Sequence, residues 1–245
     1  MTSLVTYTCA DGIAIMTLNR PAQRNALSLA LWQELEGHLD TIEAAGRDIA
    51  VVVLRSTGPV FCAGNDLKER GMKFPRPFYQ PQIVTRLANI PQPLIVAVQG
   101  GCFTGGLELA LAGDIIIASE SASFADTHGK FSMVPMWGMS QRLPRRVGSF
   151  KAREISFTGL PVSGREAERI GLANKCVPDE QLETATMEMA QAIAGQSRHS
   201  IFAYKELYTA QADLPLDAGL AHEVFNTKGR GSDLEERVAQ GFSKK

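Results

Sequence analysis

Residues 94–118 read LIVAVQGGCFTGGLELALAGDIIIA, and this stretch restricts the fold more than any other. LIVAV is a short apolar, β-branched run bounded by turn residues, the pattern of a buried strand. Glycines at 100, 101, 105 and 106 interrupt it. Good helix formers, LELAL, follow at once, and DIIIA reads as a second buried strand. The unit is strand, glycine turn, short helix, strand. Glycine at the mouth of a helix lets a ligand approach the backbone closely. A helix start also presents unpaired N–H groups and a partial positive charge, which suit an anion. Glu108 falls in the first turn of this helix. Two readings follow: a purely structural glycine turn, or a carboxylate placed beside an anion-stabilising nest. A membrane helix is opposed by Glu108, Asp114, Gln99 and the four glycines.

The chain has 245 residues, enough for one large domain or one and a half small ones. Its 44% hydrophobic and 21% charged residues are ordinary for a globular protein. A net charge of -1 with no long basic run argues against a nucleic-acid partner. Cys9, Cys62, Cys102 and Cys176 lack C-x-x-C spacing, which argues against a zinc site or a disulfide framework, so no metal is expected. Reduced thiols and an N-terminus without a signal-peptide pattern point to the cytoplasm and to no membrane partner.

The hairpin signal Asp11-Gly12 joins β-type runs at 4–7 and 13–18. Ser28 is a candidate cap for a helix over 29–45, with Gly46 as its stop. Residues 49–54, IAVVVL, form another buried strand. The loop to Asp66 then repeats the logic of the first stretch, with N–H groups around Gly64 and Asn65. One donor from each glycine turn would make a two-donor oxyanion hole. FPRPFYQP at 74–81 is expected to be a loop, either a flap over a ligand or a surface connection. Residues 123–129 read as loop chemistry after a strand, where ligand sites gather. Met133, Met136, Trp137 and Met139 suit either an apolar pocket or core filling. QRLPRRVG at 141–148 is basic and faces either solvent or a phosphate. Helices are expected within 150–158, 163–171, 178–194, 200–211, 216–226 and 233–242, with a short strand at 173–177. A boundary near Gly195 divides a repeated core, 1–195, from a helical segment, 196–245.

These residues carry a resemblance. Asn19-Arg20-Pro21 with Asn25-Ala26-Leu27, the FCAGNDL of 61–67, the run from Pro93 to Asp114, and Thr158-Gly159 with Ala167 and Gly171-Leu172-Ala173 occur in the order found in the enoyl-CoA hydratase/isomerase, or crotonase, superfamily. Together they run almost end to end. The resemblance implies an α/β spiral of repeated β-β-α units with a C-terminal helical segment that drives trimerisation, often to a dimer of trimers. It implies an acyl-CoA thioester substrate and no separate cofactor, coenzyme A being part of the substrate. The thioester oxygen would lie between the backbone N–H groups of Asn65 and Gly105. Arg24, Ala63, Asp66, Leu67, Trp137, Phe242 and Lys245 are carried over as positions that bind coenzyme A or the acyl group. Asp66 and Asp114 also read as caps or structural charges, and Cys62 as a buried thiol.

Glu108 matches one of the two catalytic glutamates of the hydratases. The other falls on His128, a departure from the pattern, as is MWGMS at 136–140. Adding water to an enoyl thioester needs a base for water and an acid for the α-carbon. An imidazole gives or takes a proton near neutral pH. The expected division makes Glu108 the base toward water and has His128 protonate the α-carbon or hold the water, with the reverse division open. Asp126 is a candidate partner or third acid. The substitution also leaves open isomerisation, decarboxylation, thioester hydrolysis or silent acyl-CoA binding. A nicotinamide enzyme and a serine hydrolase are not supported, since G-x-G-x-x-G and G-x-S-x-G are absent.

Overall fold

A computed structural model describes residues 3–69 and 71–243, the side chains of Phe242 and Ser243 excepted. Strands β1 (Val5–Ala10) and β2 (Ile13–Leu18) form the expected hairpin, with Asp11 and Gly12 both at positive φ as a two-residue turn of the right twist requires. Helix α1 (Leu29–Ala45) starts at Ser28, whose side chain accepts the Leu31 N–H, and stops at Gly46. Strand β3 (Val51–Ser56), helix α2 (Tyr79–Asn89), strands β4 (Leu94–Val98) and β5 (Gly101–Phe103), helix α3 (Gly105–Ala110), and strands β6 (Ile115–Ser119) and β7 (Ser123–Ala125) follow. Next come α4 (Met139–Val147), α5 (Ser149–Thr158), β8 (Val162–Ser163), α6 (Gly164–Arg169), β9 (Lys175–Val177) and α7 (Leu182–Ala194). Helices α8 (Arg198–Gln211), α9 (Leu216–Phe225) and α10 (Leu234–Ser243) end the chain.

Six strands form one sheet in the order β1-β2-β3-β4-β6-β9, parallel from β2 onward. A parallel sheet is covered on both faces, and β4 is buried throughout for that reason. Val52, Leu54 and Val96 pack with Leu31, Leu35 and Leu39 of α1 and Ile83 and Leu87 of α2. The alternate residues Val51, Val53 and Ile95 pack with Leu182, Ala185 and Ala190 of α7. A second, smaller sheet holds β5, β7 and β8, and an isolated parallel bridge between Cys62 and Cys102 extends it. Each of β3, β4 and β6 thus leaves the large sheet, enters the small one, and ends in a helical turn. Those turns are Leu67–Glu69, α3 and the 3-10 turn His128–Phe131. This is the expected spiral of β-β-α units, and it brings the starts of its three helical turns together.

Several local expectations are corrected. Helix α2 begins at Tyr79, inside the segment expected to be a loop, because Pro81 falls in its first turn, where no N–H is needed. Residues 123–125 are a buried strand paired in parallel with β5. The basic run 141–148 is mostly helix α4, and its three arginines all donate to backbone carbonyls, Arg145 to the Gln141 oxygen one turn back at 2.9 Å. Arg142 donates to the Trp137 oxygen at 2.6 Å, and Arg146 donates to the oxygens of Gly113, Asp114 (3.2 Å) and Leu172 (3.4 Å). From α8, Lys205 reaches Asp114 Oδ2 at 2.8 Å, and the same oxygen accepts the Leu94 N–H at 2.7 Å. Among the described residues no helix is long and apolar enough to cross a membrane.

Candidate active site

The two glycine turns are pressed against each other. Gly64 has φ +97, and a Cβ there would stand 3.0 Å from the Phe103 oxygen and 3.2 Å from the Gly105 nitrogen. Only glycine meets both conditions. Leu27 donates to the Gly64 oxygen (2.8 Å), and Asp66 donates to the Leu27 oxygen (3.1 Å). Strand alternation then turns the Asn65 N–H to the opposite side. Gly105 is the first residue of α3, so its N–H has no acceptor within the helix. Thr104, just before it, sits at φ 52, ψ -111, a conformation that costs on the order of 1–3 kcal/mol. Its N–H donates to the Ala125 oxygen at 2.9 Å, and its hydroxyl bonds the Thr127 hydroxyl. Those contacts hold the start of α3 in place. Gln80 of α2 donates to the Asn65 side-chain oxygen at 3.0 Å.

Glu108 is almost wholly buried. Its Oε1 accepts the Trp137 N–H at 2.8 Å and the Met139 N–H at 3.2 Å. Its Oε2 lies 3.7 Å from His128 Nε2, beyond direct hydrogen-bond reach. On the other side of the imidazole, Nδ1 stands 2.6 Å from Asp126 Oδ1, which also accepts the His128 N–H at 3.2 Å. Burial pushes the Glu108 carboxyl above the ordinary carboxylate range, against the pull of the two N–H groups and His128. Burial acts the same way on Asp126, but hydrogen bonds from His128 and Ser156 outweigh it and hold Asp126 below that range. An ionised carboxylate only accepts, so His128 Nδ1 carries the proton of this bond.

Ala63, Asn65, Gly105, Glu108 and His128 line one cleft of about 210 Å³. Leu67 and Trp137 line it too, and the exposed Phe131, Val134 and Met136 give it an apolar rim. Trp137 crosses Trp32 edge-on, with centroids 5.2 Å apart, and its ring fills the space a Cβ at Gly105 would need. A second cavity of about 480 Å³ lies behind His128 and Asp126. Larger cavities, about 710 Å³ beside α7 and about 800 Å³ against α8, hold none of these groups.

The remaining expected site residues lie elsewhere. Asp66 pairs with Arg20 at 2.6 Å and accepts the Lys68 N–H, so its carboxylate braces the turn and does not line the cleft. The exposed Arg24 is also absent from the cleft wall, and its carbonyl holds the Ala63 N–H at 3.0 Å. Lys245 and the side chain of Phe242 lie outside the described residues. Gln80, Thr104, Thr127 and Arg142 were not legible as site residues. Gln80 lay in the segment read as a loop, and Arg142 lay in the segment read as a solvent or phosphate face.

The family model described as enoyl-CoA hydratase/isomerase matches residues 8–243. A probable peroxisomal enoyl-CoA hydratase of Arabidopsis thaliana is 32% identical, over 96% of this chain and 92% of the relative. A probable mitochondrial enoyl-CoA hydratase of Dictyostelium discoideum is 35% identical, over 95% and 88%. The crystal structure of an enoyl-CoA hydratase from Bacillus anthracis superposes with a TM-score of 0.92 at 33% identity, covering 99% of this chain and 97% of that one.

Proposed function

We propose, from the premise that the chain belongs to the enoyl-CoA hydratase/isomerase family, that it adds water across the double bond of a 2-enoyl-CoA to give a 3-hydroxyacyl-CoA. The observation that carries this reading is the facing of Glu108 Oε2 and His128 Nε2 across 3.7 Å in the cleft that also holds Asn65 and Gly105. Hydration needs two proton transfers, and these are two ionisable groups on one cleft wall. Such groups typically contribute about 10²–10⁴-fold each.

The thioester oxygen takes on negative charge when water attacks C3. In this reading the N–H groups of Asn65 and Gly105 receive that charge, and each such donor contributes about 3–4 kcal/mol to the transition state. The apolar rim of Phe131, Val134 and Met136 covers the acyl group. A water molecule sits between Glu108 and His128. Coenzyme A enters and leaves as part of the substrate, and no other cofactor takes part.

Assembly belongs to the same proposal. Leu216, Leu220, Val224 and Phe225 of α9 and Tyr204 and Tyr208 of α8 are exposed, which suits burial between copies of the chain in a trimer or a dimer of trimers.

The reading is tested with a panel of 2-enoyl-CoA esters, short, long and branched, in ¹⁸O-labelled water with product mass spectrometry. Label in a 3-hydroxyacyl-CoA supports it. A shifted double bond, loss of carbon dioxide or free coenzyme A in place of that product rejects it in favour of isomerisation, decarboxylation or hydrolysis.

A further inference from the structure

We infer that Asp126 is a positioning residue that fixes the proton of His128 on Nδ1, so that Nε2 is the base that takes a proton from water and Glu108 Oε2 is the acid that protonates the α-carbon. This rests on the hydration reading above and reverses the division of labour expected from the sequence.

Geometry carries the assignment. The 2.6 Å contact of Asp126 uses Nδ1, so the neutral imidazole must present a bare Nε2 to the cleft. Glu108 is held asymmetrically. Both backbone donors, Trp137 and Met139, point at Oε1, which is the arrangement a carbonyl oxygen accepts. Oε2 is then the oxygen left to carry a proton, and it is the one that faces Nε2. The charged and titratable groups around Glu108 are His128 and Asp126 on one side and Arg142 of α4 on the other. Arg142 is committed to the Trp137 oxygen at 2.6 Å. Burial favours neutral Glu108, and hydrogen bonding favours ionised Asp126, in keeping with the geometry.

The cycle closes without another reactant. Water loses a proton to His128 Nε2 as its oxygen bonds C3. The C2–C3 π pair moves toward C1, and the C1 oxygen becomes an enolate. The enolate collapses and C2 takes the proton from Glu108 Oε2. The site is left with an imidazolium, stabilised by Asp126, and a Glu108 carboxylate. Proton transfer from Nε2 to Oε2, relayed by the incoming water that bridges the two atoms from the cleft side, restores the start.

Asp126→Asn, Glu108→Gln and His128→Gln in the full-length protein test this. Asp126→Asn is expected to keep KM within about threefold while hydration kcat falls about 10²–10⁴-fold. The discriminating readout is exchange of the α-hydrogens of a saturated acyl-CoA, butyryl-CoA, with deuterium oxide. That exchange uses only the group at the α-carbon, whose carboxylate form takes the α-proton and returns a deuteron. It is expected to survive in Asp126→Asn and His128→Gln and to vanish in Glu108→Gln. Exchange lost with His128→Gln and kept with Glu108→Gln overturns the assignment while leaving hydration intact. A wild-type protein that hydrates no ester of the panel overturns the hydration reading, and this inference falls with it. Should Asp126→Asn fail to fold, ¹⁵N NMR of the wild-type protein decides. In the neutral imidazole a proton on Nδ1 is expected, and a proton on Nε2 instead overturns the inference.

Discussion

Glu108 Oε2 and His128 Nε2 face each other across 3.7 Å, and each side chain is anchored by its other polar atom. Oε1 of Glu108 is held by the N–H groups of Trp137 and Met139, and Nδ1 of His128 by Asp126. The atoms left over are the two that point into the cleft. Anchoring of this kind removes the reorganisation that a flexible acid and base would need at each turnover.

Replacing Gly105 tests the nest. In Gly105→Ala the new Cβ meets the Trp137 ring, so either the ring or the start of α3 must move. Overpacking of this kind costs about 1–3 kcal/mol of stability. Displacement of one oxyanion donor is expected to lower kcat by about 10²–10³-fold. Thermal denaturation and steady-state kinetics on one preparation read both effects.

Arg142→Ala removes the clamp on the Trp137 carbonyl, the peptide neighbour of a donor to Glu108. We expect a fall in kcat larger than the rise in KM, with Arg142→Lys intermediate, since lysine keeps the charge and loses the fork. An Arg142→Ala protein with wild-type kcat would show that the loop holds Glu108 without it.

Asn25 is fully buried and joins three segments. Its side chain accepts the Arg20 N–H at 2.8 Å and donates to the oxygens of Thr57 (2.9 Å) and Val60 (2.7 Å). Asn25→Ala leaves the Arg20 N–H and the Thr57 oxygen without these partners, and the Val60 oxygen with only the Ser56 hydroxyl at 3.4 Å, at about 1–3 kcal/mol for each that stays dry and unpaired. Urea denaturation should show a drop of a few kcal/mol, with reduced yield of folded protein.

Asp126 has a folded-state pKa below its unfolded value. Its contribution to stability is therefore present above the unfolded value of about 3.9 and is lost as pH falls through the folded one. Asp126→Asn should be less stable than the wild type at neutral pH and should lose less on acidification. Denaturant midpoints between pH 3 and pH 7 measure the difference.

What the sequence carried was local. The strand run of 94–98, the Asp11-Gly12 turn, and the Ser28 and Gly46 ends of α1 follow from neighbouring residues and appear where expected, while the run read at 49–54 forms its strand two residues later, at Val51–Ser56. Glu108 and the two glycine turns stood out for the same reason. The resemblance extended this to the spiral and brought His128 forward by its mismatch. Asp126, two residues from His128, was already a candidate partner. The groups that anchor Glu108 and Asn65 were beyond reach, because each acts across the fold. Trp137 is 29 residues from Glu108, and Gln80 is 15 from Asn65. Arg142 looked like part of a charge run until α4 turned it toward a carbonyl. Asp66 read both as a position that binds the substrate and as a structural charge, and Arg20, 46 positions earlier, claims its carboxylate for the second.

The central claim is that Glu108 and His128 act as one proton-handling unit, and a double-mutant cycle tests it most directly. Hydration kcat is measured for the wild type, Glu108→Ala, His128→Ala and the double variant. Each single substitution is expected to cost about 10²–10⁴-fold, and the double to cost little more than the worse single, as for residues that work together. A His128→Ala protein with unchanged turnover, or a double variant whose loss is the product of the two single losses, would contradict the pairing.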